Sequence, residues 1–151
     1  MEMPEPKNPF PELIDSFDGE YRFLSNFWPV EIEFEGIQFS SVEAAYQAAK
    51  TLDVIKRMVI AVLPPNKAKR AGKKLELRPD WEAIKIPVME ILIRKKFQNP
   101  ELKAKLLATD DKPLIERNHW GDTFWGICNE EGENHLGRIL MQVRDELRAG
   151  S

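Results

Sequence analysis

The chain has 151 residues, 42% of them hydrophobic, enough for one buried core and too few to argue for two. A formal charge of −3 argues against a protein that coats nucleic acid non-specifically, and no run of about 18 apolar residues exists to span a membrane. Cys128 is the single cysteine, so no internal disulfide can form, and no basic-then-apolar signal opens the chain; a reducing, cytoplasmic compartment is expected.

Pro4, Pro6, Pro9 and Pro11 forbid regular helix in the first twelve residues, so 1–12 reads as a flexible arm and the domain, 13–148, starts near Leu13. Val30, Ile32 and Phe34 alternate with Glu31, Glu33 and Glu35, and Gly36 then precedes Ile37 and Phe39, which predicts a short hairpin with one apolar face. A helix follows from Ser40 or Ser41, and a second runs from about Asp53 to Leu63, where Pro64-Pro65 stops it. Asn66 to Lys74 predicts a short basic helix. From Asn66 to Arg78 six cations stand against Glu76 alone, a patch able to meet phosphates or simply to be solvated.

Asp80 is placed to cap a helix beginning at Trp81, and Pro87 is expected to divide the stretch to Gln98 into two helices. Asn99-Pro100 reads as an N-cap with proline at the first helical position, opening a helix to about Ala108. Leu114 to Glu116 suggests a short strand. Arg117 to Glu133, rich in aromatics and glycines without helical spacing, reads as an ordered loop of the kind that carries function. Asn134 is expected to cap a last helix whose apolar positions Leu136, Ile139, Leu140, Val143 and Leu147 follow helical spacing.

The chemistry concentrates in the helix after the hairpin. Glu43, Tyr46, Gln47 and Lys50 fall at i, i+3, i+4 and i+7, so they share one face, while alanines and Val42 fill much of the rest. Each end has a structural explanation: Ser40-x-x-Glu43 fits a capping box, and Lys50 suits a helix C-terminus. The pair also fits a site, since two turns separate acid from amine by roughly 10 Å, leaving room for a small group. Trp28 and Trp81 read as core or lid residues. Trp120 and Trp125 lie in the glycine-containing loop beside Asp122, where they could seal the core or stack on a flat ring such as a nucleobase. His119, His135 and Cys128 match no zinc spacing, and neither a Walker A motif nor G-x-G-x-x-G occurs, so neither metal nor cofactor is expected.

Short motifs then follow one another in order. They are Phe23-Leu24-Ser25-Asn26-Phe27, Ser41-Val42-Glu43 with Tyr46-Gln47-Ala48-x-Lys50, Ala68-x-x-Ala71-Gly72, Arg78-x-Asp80-Trp81, Val88-Met89, Lys96-Phe97, Leu106-Leu107-Ala108-Thr109, Asp122-x-x-Trp125-Gly126 and Asn134-x-Leu136-Gly137-x-x-Leu140-Met141-x-x-Arg144. In that order they resemble the YbiA-like, or NADAR, family from about Tyr21 to Leu147. The resemblance implies a compact, mainly helical α+β domain with N-glycosidase activity on ADP-ribosylated guanine bases or phosphorylated riboflavin-pathway intermediates.

It further implies catalytic roles for Glu43, Lys50 and Asp122, with Trp81 and Trp125 in the active-site motifs. Arg22, Ser25 and Asn26 would line the pocket with Tyr46, Trp120 and Gly126, and Asn134 and Gly137 would border it. Two departures bear on pocket width: Ala44-Ala45, where relatives often carry His-Tyr, and Ile127-Cys128, where glycine or aspartate is frequent. The expected partner is a small-molecule nucleotide or an ADP-ribosylated nucleic-acid base, with no membrane and no obligate protein partner. Glu43 would stabilise positive charge on the sugar and position water, and Lys50 would either bind phosphate or attack C1′ and form a Schiff base. Trp125 or Trp81 would stack on the base, Asp122 would bind ribose hydroxyls or assist proton transfer, and Arg22 would pair with pyrophosphate. A module that binds ADP-ribose without turnover, or a helical interaction protein using the aromatic loop, are the rival readings.

Overall fold

The computed structural model describes residues 12–150; the expected arm, apart from Glu12, lies outside the described residues. Strands β1 (Pro29–Phe34) and β2 (Ile37–Ser41) form the expected antiparallel hairpin, with Phe34 opposite Ile37 and Ile32 opposite Phe39. Glu35 and Gly36 both take positive φ, 49° and 85°, as a two-residue turn matching strand twist requires. Ile32, Phe34 and Phe39 enter the core, and the alternating glutamates stay outside.

β2 runs without a loop into α1 (Val42–Ala49), every residue of which is buried. Alanine makes this possible, because its short side chain lets neighbours approach from several sides: α2 (Val54–Ala61), α3 (Pro65–Gly72) and α4 (Trp81–Lys96) all pack on α1. On α3, Gly72 sits so close to Gln47 that a Cβ there would collide with the Gln47 amide. The boundaries of α2 follow its cap, since Asp53 Oδ1 accepts from the N–H groups of Ile55 and Lys56.

α4 corrects the expectation of two helices, running as one helix through Pro87. Trp81 precedes the proline, and Val88, Met89, Leu92 and Ile93 follow it, all buried on one continuous face, while Pro87 is exposed. Packing along that face outweighs the lost backbone hydrogen bond. Asp80 does not cap this helix with its side chain; it pairs with Arg78 at 2.6 Å. Asn99 does cap α5 (Pro100–Leu107), accepting from Leu102 N–H at 3.1 Å.

Leu114 forms only a single bridge, parallel to Ile14, and the strand begins later: β3 (Arg117–Asn118) pairs in parallel with β4 (Ile127–Cys128). The last helix, α6 (His135–Ala149), has the expected buried stripe, but Asn134 is left-handed (φ 53°) and makes no cap bond. Its amide instead reaches back to the 114–116 segment, accepting from Glu116 N–H at 2.9 Å and donating to Leu114 O at 3.0 Å. No described helix is long and apolar enough to cross a membrane.

Candidate active site

A cavity of about 410 Å³ opens beside α1. Its lining includes Glu43, Tyr46, Gln47 and Lys50 from α1 and the Ser25–Phe27 segment ahead of β1; Lys69 and Lys73 come from α3, and the loop between β3 and β4 adds Trp120, Asp122 and Trp125. The helical stripe read from sequence therefore faces a common space with the aromatic loop, two regions some 75 residues apart in the chain.

The capping-box reading of Glu43 does not hold. Ser41 is the N-cap, its Oγ accepting from Ala44 N–H at 3.1 Å, which leaves Glu43 at the second helical position. The Glu43 carboxylate accepts from the Gln47 side-chain amide at 2.8 Å instead. Burial pushes its pKa up, while the Gln47 bond and then the charges of Lys69 and Lys50 pull it down. Lys50, at the C-cap of α1, is partly buried, and burial lowers its pKa against the opposing pull of Glu43. Glu43 and Lys50 form no ion pair, so acid and amine face the cavity separately.

Tyr46 lies between them, its hydroxyl accepting from Trp125 Nε1 at 3.2 Å and its ring 5.5 Å from that of Trp125 in a T-shaped contact. Trp81 packs on the other side of Tyr46, 5.2 Å between centroids, and is 4% exposed. Trp81 therefore braces the cavity wall from behind Tyr46 and is not among the residues that line it. Trp125 and Trp120 do line the cavity; Trp120 is 55% exposed at the rim, with Lys69 Nζ 5.4 Å from its ring.

Asp122 is held by its own loop. Its Oδ1 accepts from Phe124 and Trp125 N–H at 3.0 and 2.9 Å, and its backbone exchanges two hydrogen bonds with the Asn118 amide. Asn26 lines the cavity with its Oδ1 buried and without a hydrogen-bond partner, and Ser25 Oγ accepts from Phe27 N–H.

Arg22 is exposed and does not line the cavity, because its 3-10 helix (Gly19–Leu24) turns Phe23 and Leu24 into the core and Arg22 away from it. Gly126, Asn134 and Gly137 are also absent from the lining, and each is a packing element. A Cβ on Gly126 would strike the Glu116 carbonyl and carboxylate, and one on Gly137 would strike Leu114 O and the Asn134 amide.

Among the lining residues not singled out as site residues from sequence are Lys69, Lys73, Glu116 and Arg117. The two lysines belong to the basic patch, where Arg70 and Lys74 have the same i, i+4 spacing, so sequence alone did not separate them from their neighbours. Glu116 carried no signal, because it stands at the end of a short apolar stretch. Burial first, then the charge of Asp122, pushes its pKa up to about 7.

Residues 14–148 match the NADAR domain. Riboflavin biosynthesis protein VVA0006 of Vibrio vulnificus is 40% identical over 136 residues, 87% of this chain and 37% of that protein, so this chain spans little more than a third of it. N-glycosidase Npun_R5314 of Nostoc punctiforme is 36% identical and N-glycosidase YbiA of Escherichia coli 37%, the matches covering 86% and 85% of those proteins. The NMR structure of Escherichia coli YbiA superposes with a TM-score of 0.80 at 33% identity, covering 98% of this chain and 95% of the other.

The chain belongs to the NADAR family, and its fold is that of YbiA. Relatives of this similarity that carry the name N-glycosidase make it a hydrolase of the glycosidase class.

Proposed function

We propose that the protein hydrolyses a ribosyl N-glycosidic bond in a phosphorylated nucleotide-like substrate, either an ADP-ribosylated guanine or a phosphoribosyl intermediate of the riboflavin pathway. One observation carries this reading: a buried carboxyl, Glu43, and a partly desolvated amine, Lys50, face one cavity from the same helix without forming an ion pair. A protein that only binds a nucleotide needs no such pair.

Breaking the C1′–N bond develops positive charge on the sugar and negative charge on the base. Glu43 stabilises the first. Lys69 and Lys73, one turn apart at the cavity, supply point charges for phosphate, which leaves Lys50 free for another task. Burial raises the neutral fraction of its amine, the form that attacks C1′ as the base departs. Ring opening then gives an imine that water hydrolyses, releasing sugar and lysine. Trp125 and Trp120 offer faces to the flat base, and the unpartnered Asn26 Oδ1 offers an acceptor to a ribose hydroxyl, a role Asp122 shares. The buried, unpaired thiol of Cys128 agrees with action in a reducing compartment such as the cytoplasm.

The test is incubation with each candidate substrate, followed by chromatography for released base and sugar. Release of both from one candidate, abolished by Glu43→Gln, is the expected result. Tight nucleotide binding with no product would make the protein a binding module and end the glycosidase reading of its substrate.

A further inference from the structure

Besides Glu43, Asp122 and Asp18 the cavity is lined by a further carboxyl, Glu116, and much of the surrounding packing immobilises it. Glu116 is fixed through its backbone on both sides: its N–H donates to Asn134 Oδ1 at 2.9 Å, and its carbonyl accepts from Ile127 N–H at 2.9 Å. Gly126 lies so close to its Oε2 that any Cβ there would displace it, and Gly137 keeps α6 close to the adjoining Leu114 carbonyl. The motif residues that do not reach the cavity, Gly126, Asn134 and Gly137, therefore converge on the segment bearing Glu116.

The side chain is treated differently from its backbone. Oε2 receives one neutral donor, Asn118 Nδ2 at 3.3 Å; among the described residues Oε1 accepts no hydrogen bond, and no lysine or arginine comes within ion-pair distance. The adjacent Arg117 is occupied elsewhere, by Asp15 at 3.3 Å and Glu130 at 2.7 Å. Of the charged groups around the cavity, those acting most on Glu116 are Asp122 from the loop, Lys69 from α3 and Glu43 from α1, with Asp18, Lys50, Lys73 and Arg117 also in the lining. Glu43 lies under the charges of Lys69 and Lys50 as well as Asp122, and shares with Glu116 the repulsion between the two carboxylates. At Glu116 burial and the two carboxyls oppose ionisation, and only the Asn118 bond and Lys69 favour it, so the group holds its proton to about neutral pH.

We propose that Glu116 is the general acid of the reaction, the group that protonates the departing base. The proposal rests on the N-glycosidase reading above and adds an assignment to it. As the C1′–N bond breaks, its electron pair stays on the base nitrogen, which takes the proton from Glu116. The water that later supplies oxygen to C1′ gives up a proton through Glu43 to solvent, and Glu116 recovers one from solvent, so the sum is water consumed, base and sugar released. A pKa near 7 leaves the acid about half protonated at neutral pH, which suits a proton donor.

The experiment compares wild type, Glu116→Gln and Glu43→Gln on the N-glycoside that wild type cleaves and on p-nitrophenyl ribofuranoside 5-phosphate, whose phenolate leaves without a proton. Glu116→Gln is expected to lose roughly 100-fold or more on the N-glycoside and only a few-fold on the nitrophenyl compound, whereas Glu43→Gln loses on both. On the N-glycoside, the alkaline limb of kcat/KM near pH 7 should vanish in Glu116→Gln and persist, at lower rate, in Glu116→Asp, which keeps the acid if the amide disturbs folding. Equal losses of Glu116→Gln on both substrates, or an unchanged alkaline limb, overturn the acid role while leaving the glycosidase reading intact. Absence of cleavage by wild type on every candidate overturns both.

Discussion

The Asn134 side-chain carbonyl accepts the backbone N–H of Glu116 at 2.9 Å while its amide donates to Leu114 O at 3.0 Å, so one residue at the start of α6 splints the segment that leads into the cavity loop. Replacing Asn134 by alanine leaves a backbone donor and a backbone acceptor without their partner and puts alanine at φ 53°. Asn134→Ala should therefore lower stability by about 2 to 4 kcal/mol in urea titration. Activity of the folded fraction should drop as well, because the Glu116 backbone is released.

Glu116 also makes a stability prediction of opposite sign. Its pKa in the folded protein, about 7, lies above the unfolded value of 4.5, so the folded state binds the extra proton and its stability declines as pH rises from about 4.5 to 7. Glu116→Gln should remove that decline and be more stable than wild type above pH 7, by about 1 to 2 kcal/mol once partial exposure is allowed for. A variant less stable than wild type at pH 8 would contradict this.

Lys96 provides the complementary case. It is fully buried, donates to Ser25 O at 2.9 Å, and burial lowers its pKa to about 7. Between pH 7 and its unfolded value of 10.5 the unfolded chain binds a proton that the folded chain does not, so stability should rise with pH over that window. Thermal melts from pH 7 to 10 should show the rise in wild type and lose it in Lys96→Met.

Lys50→Arg separates the two roles open to Lys50. Arginine keeps the positive charge but stays protonated and cannot form an imine. Under the covalent role, turnover should fall by 100-fold or more with little change in substrate affinity, and borohydride should trap a sugar adduct on wild type alone. Survival of turnover within a few-fold would return Lys50 to phosphate binding.

Lys69 and Lys73 should behave as binding residues. Removing both as alanines is expected to raise KM for a phosphorylated substrate by roughly ten- to a hundred-fold, to leave kcat within a few-fold, and to weaken the salt dependence of KM. An unphosphorylated analogue should show little change in KM.

The contrast between Glu43 and Glu116 marks how far the sequence could be read. Glu43, Tyr46, Gln47 and Lys50 were legible because helical periodicity alone puts them on one face, and the alanines beside them announced a helix surrounded by neighbours. The β1–β2 hairpin, the α5 cap and the α6 stripe were legible for the same reason, each depending on residues within one or two turns. Pro87 was misread because the interactions that keep α4 intact lie on either side of it in the core. The capping box open to Glu43 does not form because Ser41, one residue later than Ser40, is where β2 gives way to helix.

By itself, then, the sequence determined the mainly helical domain with its N-terminal hairpin and the acid and amine on α1, since spacing along a single element fixes what shares a face. Only the tertiary structure decided what meets that face. Lys69 and Lys73 join it through the close α1 and α3 contact at Gly72, Trp81 is set behind Tyr46, and Arg22 turns away. Glu116 reaches the cavity because Asn134, Gly126 and Gly137 hold its segment there. The physical reason is that burial and the summed charges of groups far apart in the chain set a carboxyl's chemistry, and neither can be read from its neighbours in sequence.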